Sequence, residues 1–500
     1  MSSHYNPRFP SLTVTDDALL VKKDVRRNPT TSFQFSWALF IAYSTIVLTF
    51  ELLRLTLHGM AGDLLMDINI GQWIVAHGHV PLHNHFTAAL AGHPFSDTEW
   101  GFSLYVAEAY RIGGNIAVYL SLVPFLAVIA GFIGVWAQRA GRYGLLIAFL
   151  AGWALTITTN PRPQLVSYAA FALGLWAIQH ARHHHWRPLL LFLASLPIWA
   201  NMHQSVVLAP ALLFGEVVFG PASGRKRMAL ATLAALGLML LHPGGPTDSS
   251  HFFAHVLSPG VAGVIQEWQS PSFHTVDGWL ILPYLLVAWG LIMPRAWREH
   301  RWTDLTWAAA GTLVTLWAVR FAPYMVLGVV AILPYYLPKS GRTRTLTPWL
   351  RRGAFVAALA LTGLWAGVIY NGGPFPTAYP QTAMQYLQNH HAKNVVVYQQ
   401  WSDAAEMANL QPWTNGQAQL WAQTAWWMPF VHAQGDSQLV VPWVTRWDPT
   451  AQWILWPIRG YDSYGGSIQA SGWKLVAQDR TSSGVAGIWE RIPTRKDAQL

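Results

Sequence analysis

The segment 62–101 carries four carboxylates, although charged residues make up only 11% of the chain. A carboxylate can take a proton from an attacking hydroxyl or bind a divalent cation. Acidic groups beside a bilayer are also costly to desolvate, so their concentration in one segment indicates a functional site. We predict catalytic roles for Asp63, Glu99, Asp97 and Asp67, with a divalent cation (Mg or Mn) as a candidate cofactor bound by Asp63 and Glu99.

Polar residues also stand at the ends of several apolar segments. Arg162 and Arg320 lie apart from the basic clusters of the chain. A guanidinium binds phosphate oxygens in a bidentate fork, which suits a substrate that carries phosphate on a lipid. The predicted substrate- or phosphate-binding residues are Arg162, Gln164, Asn201, His203, Glu267 and Arg320. The alternative for each arginine is a structural ion pair, or a side chain that reaches to the membrane surface.

Histidines are numerous in the same acidic segment, at positions 77, 79, 83, 85 and 93. His83 and His85 could bind a transition metal together with Asp97 if the segment is extended. Their spacing matches no standard metal motif, so we favour polar, solvated side chains. His203 differs from them because it stands beside Asn201 at a helix end, where it could touch a substrate.

The composition indicates a polytopic membrane protein. Hydrophobic residues make up 52% of the chain, which contains 28 tryptophans and no cysteine. The absence of cysteine excludes disulfides, a thiolate nucleophile and thiolate metal ligands. The formal charge of +9 would suit nucleic acid, but the basic residues form short clusters between apolar segments. Membrane topology explains these clusters better, so no nucleic-acid partner is expected.

The elements that must position these residues are apolar segments long enough to cross a bilayer, allowing for tilt. We predict them near 36–57, 116–137, 143–159, 164–181, 187–200, 204–220, 226–242, 279–293, 303–318, 321–337 and 353–371. With the N-terminus inside, the basic loops all fall on the cytoplasmic side, as the positive-inside rule requires. This count requires that 99–113 does not cross by itself, and it places the four carboxylates and the polar helix ends outside.

After the last predicted span the composition changes to that of a small α/β unit. The pattern predicts a helix at 379–390, a strand at 394–398, and later strands at 439–444, 453–456, 473–479 and 484–492. Asp403, Glu406 and Asp436 are interpreted as surface residues. The predicted domains are a cytoplasmic tail (1–35), a transmembrane domain (36–372) whose large first external loop covers 58–115, and an extracytoplasmic α/β domain (373–500).

Several strings occur in a recognisable order. They are "GDLLMDINIGQWIVAHGHVP", "TEW", "RPQLVSY", "WANMHQS", "EWQSPSF" and "RFAPY". This pattern resembles a family of bacterial integral membrane proteins related to the GT-C glycosyltransferases. In that family the loop typically begins Asp-Leu-Trp-Trp-His, so Asp63 matches the acidic position, Asp67 replaces the histidine, and Glu99 matches the acid of a His-Glu-Trp string. "WANMHQS" stands where the family usually has Asn-Leu-His-Gly.

The resemblance implies a GT-C-like transmembrane bundle and a polyprenyl-phosphate or diphosphate sugar donor, with acids of the first external loop as catalytic base or metal ligands. In the resulting hypothesis Asp63 deprotonates or orients an acceptor hydroxyl that attacks the anomeric carbon. Glu99 or Asp97 shares a cation or fixes that geometry, while the two arginines neutralise the leaving phosphate. Alternatively, Asp63 only caps the helix that begins there, and Glu99 is a structural partner of a nearby arginine.

The predicted function is transfer of a sugar to a glycan, lipid or protein acceptor at the outer face of the cytoplasmic membrane, in cell-envelope polysaccharide biosynthesis. Two other classes remain open. In a lipid or polysaccharide transporter, the acids and arginines would line a translocation path. In an inactive scaffold of an envelope-assembly complex, they would have no chemical role.

Overall fold

The computed structural model describes residues 62–95, 97–140, 143–156, 162–245, 265–338, 379–415, 424–458, 471–481 and 484–492, and single residues at 356, 360, 421 and 468. The predicted cytoplasmic tail and the predicted spans at 36–57 and 353–371 fall almost entirely outside these ranges. The described part of the chain is mostly helical and has one small sheet near its C-terminal end.

Fifteen α-helices of the described residues are numbered here in chain order. They are α1 (Gly62–His77), α2 (Trp100–Arg139), α3 (Gly144–Thr156), α4 (Gln164–Ala181), α5 (Arg187–Met202), α6 (Leu208–Phe219), α7 (Arg225–Leu238), α8 (Val276–Val287), α9 (Met293–Arg298), α10 (Trp302–Trp317), α11 (Ala322–Ile332), α12 (Gln381–Asn389), α13 (Gln399–Met407), α14 (Trp427–Gly435) and α15 (Val440–Trp447). The strands are β1 (Val395–Val397), β2 (Trp453–Ile458), β3 (Trp473–Thr481) and β4 (Gly484–Arg491).

The helices of the bundle follow the predicted apolar segments closely, because an apolar run keeps its backbone hydrogen bonds inside one helix. Helix α4 begins and ends at the predicted residues, and α5 and α10 differ from prediction by one or two residues. Helix α11 lies at the centre of the bundle, with nearly all of its side chains buried. The short 3₁₀ turns Gln204–Val207 and Val319–Phe321 precede α6 and α11. These turns direct the polar residues at the two helix ends toward neighbouring helices.

Helix α2 combines the segment 99–113 with the predicted span 116–137, but it is not straight. Gly113 and Gly114 have non-helical backbone angles, and φ of Gly114 is +60°, a conformation that favours glycine. The arm before this break packs on α1. Gly71 of α1 allows the close approach, since a Cβ at this position would lie only 2.0 Å from the carbonyl oxygen of Ser103.

Two described helical stretches are long and apolar enough to cross a bilayer, Trp100–Arg139 and Gly278–Arg298. Shorter apolar helices run over Gln204–Phe219 and Val319–Tyr335. These stretches support membrane association. The count of about eleven crossings remains a prediction, because several helices of the bundle are shorter than the roughly 20 residues that a perpendicular crossing needs.

The C-terminal sheet has the strand order β1-β2-β4-β3. Strand β1 pairs with β2 in parallel, and β4 is antiparallel to both of its neighbours. The predicted strand at 439–444 is wrong, because this segment forms the 3₁₀ turn Ser437–Leu439 and the start of α15. The buried residues Val440, Trp443 and Val444 have the i, i+3, i+4 spacing of a helix face rather than the alternation of a strand.

The C-terminal region packs directly on the first loop (58–115). Helix α13 lies against α1. The backbone N–H groups of Ala88 and Ala89 donate to the carbonyl groups of Pro412 and Trp413, at 2.9 and 3.1 Å. The loop that carries the predicted catalytic acids is therefore held by the C-terminal residues as well as by the bundle.

Two of the acids interpreted as surface residues are buried at this contact, so that interpretation is wrong for them. Asp403 and Glu406 of α13 are each 3% exposed, whereas Asp436 is exposed. Glu406 accepts hydrogen bonds from the side chains of Asn69 in α1 (2.6 Å) and Asn415 (2.9 Å). Burial, with a smaller contribution from Asp403, raises the pKa of Glu406 to about 8. Sequence reasoning missed this pairing because the partners are far apart along the chain.

We expect the stability of the protein to fall as the pH rises from about 5 to about 8. Folded protein keeps the Glu406 proton up to about pH 8, whereas the unfolded chain releases it near 4.5, so unfolding releases a proton in this window. Glu406→Gln should reduce the loss of Tm between pH 5.5 and 8.5, as measured by thermal unfolding. The control Glu490→Gln changes an exposed acid of β4; an equal reduction in both variants would contradict the assignment.

Candidate functional site

Four charged residues from separate parts of the chain form a continuous chain of ion pairs. Asp63 lies in the first turn of α1, Arg162 precedes α4, and Glu267 and Arg320 lie in one-turn 3₁₀ helices. Asp63 Oδ2 is 2.7 Å from Arg162 Nη2, Glu267 Oε2 is 2.9 Å from Arg162 Nη1, and Glu267 Oε1 is 2.6 Å from Arg320 Nη1. Asp63, Arg162, Glu267 and Arg320 are called the ion-pair chain below.

Both predicted phosphate-binding arginines are thus paired with carboxylates, as the alternative interpretation of each arginine allowed. Glu267, which is also a predicted substrate-binding residue, bridges the two guanidinium groups. The sequence did not indicate these pairs, because Arg162 and Glu267 are 105 positions apart. Attraction to Asp63 is the largest cause that raises the pKa of Arg162, so this side chain stays cationic.

A small cavity lies next to Arg320. Its volume of about 20 Å³ has room for roughly one water molecule. The guanidinium of Arg320 also lies 4.9 Å from the ring centre of Trp268, in a cation–π contact. The cavity is lined by Gln164, Tyr168, His203, Gln204, Ser205, Trp268, Arg320, Phe321 and Tyr324. Three of the predicted binding residues therefore share one cavity, and Oε1 of Gln164 is buried without a hydrogen-bond partner among the described residues.

Glu99 faces His203 at the edge of this site. Oε1 of Glu99 lies 3.3 Å from Nε2 of His203, and the histidine side chain is almost fully buried. Burial is the main cause that lowers the pKa of His203 well below its ordinary value, so the ring is neutral. Nδ1 accepts a hydrogen bond from the backbone N–H of Ser205, which assigns the ring proton to Nε2, toward Glu99. Burial, followed by the nearby Asp97, raises the pKa of Glu99 to about 8.

Hydroxyl groups that the sequence did not single out fix the orientation of His203. Ser167 Oγ and Ser205 Oγ lie 2.7 and 2.6 Å from His203 Nδ1. The hydroxyl of Tyr324 donates to Ser205, and the indole of Trp199 donates to Ser167. Ser167, Ser205 and Tyr324 lie at or next to the ends of the strings "RPQLVSY", "WANMHQS" and "RFAPY". This position was the signal in the sequence that could have identified the three hydroxyls.

The other two predicted catalytic acids are buried. Asp97 is 6% exposed and accepts hydrogen bonds from the Glu99 backbone N–H (2.9 Å) and from the Ser103 hydroxyl (3.0 Å). It therefore fixes the turn that carries Glu99 into α2. Asp67 is 2% exposed, and burial, followed by repulsion from Glu99, raises its pKa well above the ordinary value.

Asn201, predicted to bind substrate, links helices. Its Oδ1 accepts a hydrogen bond from the indole of Trp100 at 2.7 Å, and its amide donates to the carbonyl groups of Pro197 and Leu241. These bonds tie the start of α2 to the end of α5. Asn201 thus positions Glu99, which immediately precedes Trp100.

The two proposed ligands of the predicted cation each contact another residue. One oxygen of Asp63 is bonded to Arg162, and Glu99 faces His203. Over the described residues, no group of three or more histidine, aspartate or glutamate side chains could hold a metal ion. His83 and His85 are exposed while Asp97 is buried. A divalent cation bound by Asp63 and Glu99 stays a prediction.

Solved structures with a similar fold include the archaeal oligosaccharyltransferase AglB from Archaeoglobus fulgidus, in complex with an inhibitory peptide and a dolichol-phosphate. The TM-score is 0.50 and the sequence identity 11%, over 85% of this chain and 70% of that chain. No model of a known protein family and no curated protein sequence matches the chain. At this identity the likeness shows the fold alone, and it supports the GT-C-like fold that the sequence resemblance implied.

Proposed function

We propose that this protein is a membrane glycosyltransferase that moves a sugar from a polyprenyl-phosphate or diphosphate donor to an extracytoplasmic acceptor. The observation that carries the proposal is the meeting of two arginines with first-loop acids. Arg162 contacts Asp63 directly, and Arg320 shares one cavity with His203, the neighbour of Glu99. The likeness in fold to an oligosaccharyltransferase, solved with a dolichol-phosphate, adds support.

The proposed reaction is a direct displacement at the anomeric carbon of the sugar. A bond forms between the acceptor oxygen and this carbon, and the bond from the carbon to the phosphate oxygen breaks. The electron pair of the broken bond leaves with the polyprenyl phosphate, whose added negative charge Arg162 and Arg320 stabilise. Such a displacement inverts the anomeric centre.

The acceptor proton needs a carboxylate, and the geometry favours Glu99 over Asp63 for this role. Asp63 is bonded to Arg162, so we assign it to holding that guanidinium in place. Glu99 contacts a neutral histidine, and its pKa of about 8 lies near the working pH expected of a general base. In its ionised form, Glu99 takes the acceptor proton on one oxygen, while the other, Oε1, lies 3.3 Å from Nε2 of His203.

The location of the site is part of the same proposal. We place the N-terminus inside, the first loop (58–115) outside, and the region 373–500 outside as a domain that covers the site and contacts the acceptor. Hydrogen bonds between Ala88, Ala89 and the C-terminal residues Pro412 and Trp413 support a shared compartment. Labelling of single introduced cysteines with a membrane-impermeant maleimide tests this placement, since the native chain contains no cysteine.

The function itself is tested by mass spectrometry of lipid-linked sugars in cells that lack the protein. We expect one polyprenyl-linked sugar species to accumulate, and to return to its normal level when the wild-type gene is restored but not with Glu99→Gln. Purified protein in liposomes should then consume the accumulated lipid in the presence of acceptor. An unchanged lipid profile, together with no consumption by the purified protein, would exclude the proposed activity.

A further inference from the structure

The two arginines assigned to the donor phosphate already hold an anion. Each oxygen of Glu267 is bonded to a different guanidinium, at 2.9 Å to Arg162 and 2.6 Å to Arg320. A phosphate group would use its oxygens in the same way. We infer that Glu267 is a displaceable internal counterion, which occupies the phosphate position until the donor binds and then leaves it. This inference rests on the proposed function.

The bonding positions of the two guanidinium groups support displacement. Each oxygen of Glu267 fills a position that a phosphate oxygen would take, one at Nη1 of Arg162 and the other at Nη1 of Arg320. The separate cavity beside Arg320, of about 20 Å³, has room for about one water molecule and not for a phosphate group. Arg162 and Arg320 can therefore both reach a phosphate only after the carboxylate of Glu267 moves away.

The charge balance leads to the same conclusion. Within the ion-pair chain, two guanidinium groups are matched by the carboxylates of Asp63 and Glu267. Adding a phosphate beside these four groups would leave an uncompensated negative charge in a partly buried site, which is costly. Exchange of Glu267 for the phosphate keeps the positive and negative charges close to balance.

The contacts also determine which groups stay in place. Asp63 is bonded to Nη2 of Arg162, and the guanidinium of Arg320 lies over the ring of Trp268. Both guanidinium groups therefore keep a partner when Glu267 leaves. Glu267 is carried by a single 3₁₀ turn, and its side chain is 33% exposed. The backbone N–H of Val319 donates to the carbonyl of Gln269, which anchors that turn beside Arg320 while the glutamate side chain rotates.

The test measures binding and needs no turnover. Farnesyl phosphate, a short polyprenyl monophosphate, is titrated calorimetrically into the purified full-length protein. We expect Glu267→Gln to bind it about tenfold more tightly than wild type or more, since the charge-assisted bonds that compete with phosphate are weakened. Glu267→Asp is one methylene shorter and cannot bridge both arginines, so it should also bind more tightly, by a smaller factor. Glu108→Gln, in an exposed pair with Arg111, is the matched control and should equal wild type.

The outcomes separate this inference from the proposed function. Equal affinity in wild type, Glu267→Gln and Glu267→Asp would overturn the inference while leaving phosphate binding intact. Weaker binding in both variants would also overturn it, because Glu267 would then be a ligand of the donor. Absence of binding in every protein would contradict the proposed function itself. Should Glu267→Gln fail to fold, the comparison of Glu267→Asp with wild type decides the question.

Discussion

Replacement of Glu99 by Gln should lower the rate of sugar transfer by about 10²–10⁴-fold, the usual contribution of a general base. Glutamine keeps the size and shape of the side chain beside His203, but it cannot take a proton. The loss should appear in kcat at saturating donor and acceptor, measured with purified protein in liposomes. Thermal unfolding should show that the variant is folded.

A matched control is available on the same helix. Glu108 of α2 is exposed and pairs with Arg111, outside the proposed site, so Glu108→Gln should retain wild-type activity. Asp63→Asn tests the competing assignment, in which Asp63 is the general base. If Asp63→Asn loses kcat to the extent expected for Glu99→Gln while Glu99→Gln stays active, Asp63 is the base and our assignment is wrong.

Arg320→Gln should lower kcat/KM for the donor by about 10²–10³-fold, which is typical for loss of one group that stabilises developing charge. Arg320→Lys should recover only part of this, because an ammonium cannot bind a phosphate as a fork while also lying flat on Trp268. The rate of transfer is measured as a function of donor concentration, and donor binding is measured in a separate experiment. The separate binding data show how much of the effect arises before the chemical step.

The control for Arg320 is Arg446 of α15. It makes the same type of contact, with its guanidinium 4.8 Å from the ring centre of Trp447, but its side chain is exposed on the C-terminal region. Arg446→Gln should leave transfer unchanged. Full activity in Arg320→Gln would show that Arg320 does not bind the donor phosphate. If only this variant fails to fold, the role of Arg320 is structural, within the ion-pair chain.

The sequence predicted the helices of the bundle well because long apolar helices are determined largely by local composition. Long apolar runs leave the backbone no alternative to internal hydrogen bonds, so α4 could be placed to the residue. The short segment 439–444 was misassigned as a strand, since a run of valines and a tryptophan suits a strand as well as a helix. Its helical period was present in the spacing of Val440, Trp443 and Val444.

The site could be predicted as a set of residues but not as a set of contacts. Acids and arginines at helix ends are unusual in an apolar chain, which made Asp63, Glu99, Arg162 and Arg320 visible. Which carboxylate pairs with which arginine depends on how distant segments fold together. The pairing of Asp63 with Arg162, and the contact of Glu99 with His203, could therefore not be predicted from the sequence.

The hydrogen bonds from Ala88 and Ala89 to Pro412 and Trp413 have a consequence for biogenesis. These amide groups are made early during synthesis, and their carbonyl partners emerge more than three hundred residues later. The loop that holds the acids therefore cannot complete these contacts until residues 412 and 413 have been translated. Completion of the candidate site is then a late step in the synthesis of this protein, well after its first helices have been made.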